Sequence, residues 1–66
     1  MTGSRFSNAQ KHEAALREVA YRKRVYERRV NAAQMRRDQA DYQIAIMSEI
    51  ADDYRALAER DNPKLI

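Results

Sequence analysis

Three sets of side chains have the types and spacing to do chemistry. Glu49, Asp52 and Asp53 stand about one helical turn apart, as do Asp38 and Asp41. Paired carboxylates can exchange protons or hold a divalent cation, but both tasks need a concave, partly dry pocket. His12 is the single histidine, and the chain has no cysteine. It therefore has no second soft ligand, and His12-Glu13 is not the E-x-x-H repeat of a di-metal bundle. The chain contains no Gly-rich phosphate loop, no G-x-S-x-G and no H-E-x-x-H. No catalytic, cofactor-binding or metal-binding residue can be nominated. The expectation is a protein that is not an enzyme and takes no cofactor or small molecule. The carboxylates then read as a solvated face meeting arginines, and His12 as a helix-face residue near the open end of a bundle.

The third set is basic. Residues 1–33 hold eight Lys or Arg against three Glu, a net +5, whereas residues 34–66 hold five against seven acids, a net −2. Arg22, Arg29 and Arg36 recur at seven-residue spacing and form one stripe, Arg17, Arg24 and Arg28 form another, and Tyr21 is interleaved. Such stripes can pair with the acidic half, dock on an acidic protein surface or track phosphates, to which arginine adds bidentate contacts. No helix-turn-helix, ribbon or RRM signature accompanies them.

The elements that must position these groups are helices. The chain has 66 residues, 35% of them charged, with one glycine and one proline. That composition favours long helices over strands or disorder. Ser7-Asn8-Ala9-Gln10 has capping-box form, and Asp61-Asn62-Pro63 is a breaker. Between them, apolar residues follow 3-4 steps: Leu16, Val19, Tyr26, Val30 and Ala33, then Ala40, Ile44, Met47, Ala51, Tyr54 and Ala58. Ile46, Ile50 and Leu57 form a surplus row beside the second stripe, with Ile46 furthest round.

The reading adopted is an all-α antiparallel hairpin, with helices over 8–32 and 36–60, a flexible arm 1–6 and a tail 61–66. Its turn falls near Asn31 to Arg36, setting Arg17 near Asp52 and Asp53, and Arg28 and Arg29 near Asp38 and Asp41. The alternative is one continuous helix, ~80 Å long, in a parallel coiled coil. That register puts Arg22, Arg29 and Arg36 at g and Glu27 and Asp41 at e, but Lys23, Arg37 and His12 in the core. The surplus row decides for hairpins that dimerise, because a two-stranded rod leaves it wet. A chain this short without disulfides or metal also needs oligomerisation or very good packing.

The pattern Glu18-Val19-Ala20-Tyr21-Arg22-Lys23-Arg24-Val25-Tyr26, then Val30, Met35, Ala40-Asp41, Ile44-Ala45-Ile46-Met47 and Ile50-Ala51-Asp52-Asp53-Tyr54 covers about two thirds of the chain and is of moderate specificity, since helices rich in alanine and arginine share it readily. It resembles small uncharacterised helical proteins of proteobacterial tailed phages and prophages. Those relatives carry a proline after the Val-Tyr pair and a G-x-M-[ST] tip. Here Glu27 follows Tyr26, Ala33 stands at the glycine and Arg36 at the cap. The resemblance implies a phage accessory role in a bacterial cytoplasm and carries no site residues.

The functional expectation is a self-associating, cytoplasmic interaction protein, most simply a homodimer, docking on an unidentified host or phage protein. Tyr21, Arg22, Arg29 and Ile46 are the candidate contacts. The alternative is a nucleic-acid-binding protein using Arg17, Arg22, Arg24, Arg28, Arg29 and Arg36. No apolar run reaches the ~18 residues of a membrane span. The start of the chain has neither a signal-peptide h-region nor a myristoylation pattern, so the expected compartment is the cytoplasm. Because the apolar stripe is diluted by alanine and acidic in its richest part, Ile44 to Leu57, no membrane partner is expected.

Overall fold

The computed structural model describes residues 5–61. Two helices, α1 (Asn8–Asn31) and α2 (Arg37–Asp61), pack along each other. The pairing is antiparallel: Asn8 reaches Asp61 at 2.7 Å, His12 the Ala51 carbonyl at 3.0 Å and Arg22 the Gln43 carbonyl at 2.8 Å. The expected boundaries hold within one or two residues. Asp61, expected in the tail, is the last residue of α2 and accepts the Asn8 amide. Residues 1–4 of the expected arm and 62–66 of the expected tail lie outside the described residues.

Local chemistry explains both ends of α1. Ser7 is the N-cap: its hydroxyl accepts the Gln10 N–H at 3.0 Å, while the Gln10 side chain accepts the Ser7 N–H at 2.9 Å. Two of the four orphan donors at this end are thus satisfied reciprocally. At the other end the Gln34 N–H donates to the Arg29 carbonyl at 2.8 Å and the Ala33 N–H to that of Val30 at 3.0 Å. These are the two bonds of a Schellman motif, which requires a left-handed residue between them. Ala33 supplies it, with φ of 60°. The continuous coiled coil is therefore not the structure, because the backbone reverses at a position where the 3-4 phase runs on unbroken. Ala33 sits in this turn, not in the apolar stripe where its spacing placed it.

The seam between the helices is built from small side chains. Among the described residues, only Ala15, Ala40 and Ala51 are buried. Methyl groups at the points of closest approach let the two backbones come together. Larger side chains, Val19, Tyr26, Val30, Ile44, Met47 and Tyr54, are then left half-buried along its edges. Leu16, expected in the stripe, is 49% exposed. It lies ~100° round from Ala15, and Ala15, one residue earlier, takes the contact instead.

Two stability predictions follow from this geometry. Ala33→Gly should raise the unfolding free energy by about 0.5–1 kcal/mol in urea melts, since a left-handed alanine costs ~1–2 kcal/mol and glycine's extra chain entropy returns part of the gain. Ala40→Leu should lower it by about 1–3 kcal/mol, because three added carbons have no space in the seam. A leucine accepted there without loss would mean the helices are not held at alanine distance.

Candidate functional site

Two helices side by side present two broad faces. Each helix turns ~100° per residue, so the seam alanines fix which residues lie to either side. On one face α1 carries Ala14, Tyr21 and Val25, and α2 carries Ile46, Ile50 and Leu57. Tyr21 is 48% exposed, Ile46 40% and Ile50 37%, and Val25 and Leu57 are half-buried. The opposite face carries Leu16, 49% exposed, and is otherwise charged. It carries the bidentate Arg37–Glu27 pair, with oxygens at 2.9 and 3.0 Å, together with the looser Arg37–Asp41 and Arg55–Asp52 contacts at 3.9 and 3.8 Å.

The apolar face has a polar bar across its middle. The Arg22 guanidinium donates to Glu18 one turn earlier at 2.8 Å, to the Gln43 backbone carbonyl at 2.8 Å and to its side-chain oxygen at 3.3 Å. Arg22, expected as an outward contact, is thus held within the hairpin and retains only 21% side-chain exposure. This interhelix bond escaped the sequence reading. The signal was present in the register: with the chain reversing at Ala33, Arg22 comes level with Gln43.

The other arginines divide by environment. Arg36 stands beyond the turn and makes a bidentate pair with Asp38 at 2.9 and 3.0 Å, so the Arg22, Arg29 and Arg36 stripe is broken at its third member. Arg24 lies over the Tyr21 ring, 5.8 Å from its centre. The expected pairings of Arg17 with Asp52 or Asp53, and of Arg28 or Arg29 with Asp38 or Asp41, do not form. Helix rotation explains this: Arg17 and Arg28 point away from the seam on the outer edge of α1, and Asp41 and Asp52 lie on the opposite face. Among the described residues, Arg17, Arg28 and Arg29 are exposed and have no ion-pair partner. Arg28 and Arg29 close the last turn of α1, where the helix dipole favours positive charge.

The carboxylates converge on no shared centre. Asp38, Asp41 and Asp52 each face an arginine, and among the described residues no group of three His, Cys, Asp or Glu side chains could hold a metal ion. His12 meets a carbonyl, which can only accept, so Nδ1 carries the proton in that 3.0 Å contact. Tyr42 and Ile46 line a shallow, open depression with Ala45 and Glu49. Nothing in these features encloses a reacting molecule.

No protein-family model, no curated protein and no solved structure matches the chain.

Among the described residues, the carboxyl groups of Glu27 and Asp38 are shifted. The hydrogen bond from Arg37, reinforced by its charge, holds Glu27 below the ordinary carboxylate range. The hydrogen bond from Arg36 does the same for Asp38, against some desolvation and with help from its charge and from the backbone N–H groups of Gln39 and Asp38 itself. The same bonds raise both arginines further. A lowered carboxyl pKa means the folded chain binds those protons less readily than the unfolded chain. Stability from these groups is then complete above the ordinary carboxylate range and is lost as the pH falls through their folded values. Thermal melts from neutral pH into acid should show this decline, and Glu27→Gln should flatten part of it. A Glu27→Gln profile parallel to the parent would mean the pair adds nothing to folding.

Proposed function

We propose that this chain is a small non-enzymatic interaction protein that self-associates and docks on a protein partner. The accessory role in a bacterial cytoplasm that goes with phage and prophage proteins fits this reading. The observation that carries it is the apolar face: Tyr21, Ile46 and Ile50 stand exposed on one side, while among the described residues nothing larger than alanine is fully buried. A contiguous apolar patch with tyrosine and arginine around it has the composition of binding hot spots. Tyr21 and Ile46 are the contacts we assign to self-association and Arg29 the contact we assign to the partner, and Arg22 supports the apolar face from within by tying Gln43 to Glu18. Among the described residues no helix is long and apolar enough to cross a membrane.

A second reading has its own observation. Arg17, Arg24 and Arg28 share the outer edge of α1, and among the described residues none of them is paired with a carboxylate. That edge could follow phosphates, with affinity falling steeply in salt.

One experiment separates the two. Tagged protein is used to capture partners from a proteobacterial lysate, with and without nuclease, followed by high-salt washes. The first reading expects a protein retained through both treatments and reduced about tenfold by Arg29→Glu, the scale of a hot-spot loss. Recovery of nucleic acid alone, lost with nuclease or salt, would replace it with the second.

A further inference from the structure

We propose that the apolar face is the dimer interface of two copies of this chain, related by a two-fold axis parallel to the helices, so that α1 of each hairpin covers α2 of the other. This rests on the self-association part of the reading above and gives it a surface, an orientation and a register.

Area, charge and the polar bar argue for it. A 24-residue helix is ~36 Å long, and two helices side by side are ~20 Å wide, so one face offers about 700 Å² per copy. Two such faces give about 1,400 Å², within the ~1,200–2,000 Å² of stable interfaces. Covering Tyr21, Val25, Ile46, Ile50 and Leu57 would also supply the core that three alanines do not.

The outer edges then choose the orientation. Beside the apolar face, α1 ends in Arg17, Arg24 and Arg28, and α2 ends in Glu49 and Asp53. Among the described residues, none of these five makes an ion pair within its own hairpin. Stacking α1 on α1 would set arginine edge against arginine edge, whereas stacking α1 on α2 sets basic against acidic. A two-fold axis along the helices keeps every residue at its own height. Cross-contacts such as Arg22 with Gln43 and Lys11 with Tyr54 fix those heights. Arg17 then comes level with Glu49 of the second copy, with Asp53 one turn away. The Glu18–Arg22–Gln43 bar falls at the centre of the bundle. Its members already bond one another, so it can be covered without leaving the charge unpaired, and it disfavours any shifted register.

Because the chain has no cysteine, single introduced thiols report neighbours directly. Sedimentation equilibrium of the full chain should show a dimer. An equimolar mixture of Arg17→Cys and Glu49→Cys chains, treated with a short bismaleimide, should give a covalent dimer, while either variant alone gives several-fold less. Arg17→Glu should weaken association about tenfold, and adding Glu49→Arg should restore most of it. Circular dichroism confirms that each variant remains helical. A monomer throughout the micromolar range would overturn the proposal together with the self-association reading, and leaves capture of a third protein to be judged separately. Preferential cross-linking of Arg17→Cys to itself would overturn the orientation, and so would a double variant no better than the singles.

Discussion

The alanine seam is the constraint from which the rest of this molecule follows. Ala15, Ala40 and Ala51 are the residues buried between α1 and α2 among the described residues, and methyl groups at these positions allow close approach of the two backbones. Each buried methyl withdraws little apolar surface from water, at ~25 cal/mol per Å². Close approach gives precise register at the expense of core volume. The bulky residues are displaced to both flanks, and Tyr21, Ile46 and Ile50 are left exposed together on one face. An exposed apolar face is thereby a consequence of how this pair of helices packs.

Small seams need help at their ends, and the hairpin has it. The Ser7–Gln10 box starts α1. The Schellman bonds at Val30 and Arg29 stop it, with a left-handed alanine where glycine would carry less strain. Polar links span the two helices at intervals: Asn8 to Asp61, His12 to Ala51, Arg22 to Gln43 and Glu27 to Arg37. Exposed pairs of this kind add little energy individually. Their effect here is directional, because each can be made at only one relative height of the helices.

The charge asymmetry of the sequence has a different meaning from the simplest one. A basic half followed by an acidic half suggests two helices neutralising each other across the seam. The strongest interhelix pair instead joins an acid of α1, Glu27, to a base of α2, Arg37. The surplus arginines of α1 and acids of α2 face outward along separate edges, which is the arrangement that the proposed dimer uses.

Much of this was already determined by the sequence. The capping box, the helical spacing and the scarcity of glycine and proline depend on neighbours within four residues, and they set the two helices to within a residue or two. The surplus of Ile46 and Ile50 was legible for the same reason, since a single stripe is all that one partner helix can cover. Only the tertiary structure decided how far each helix rotates about its axis. The 3-4 pattern names Leu16 and Ala15 as near neighbours but cannot say which of them meets the other helix. A rotation of one residue position, about 100°, took Arg17 away from Asp52 and Asp53. The turn belongs to the same class: nothing local marks Ala33 as left-handed, and its conformation is held by the Schellman bonds and the packing of α2 against α1.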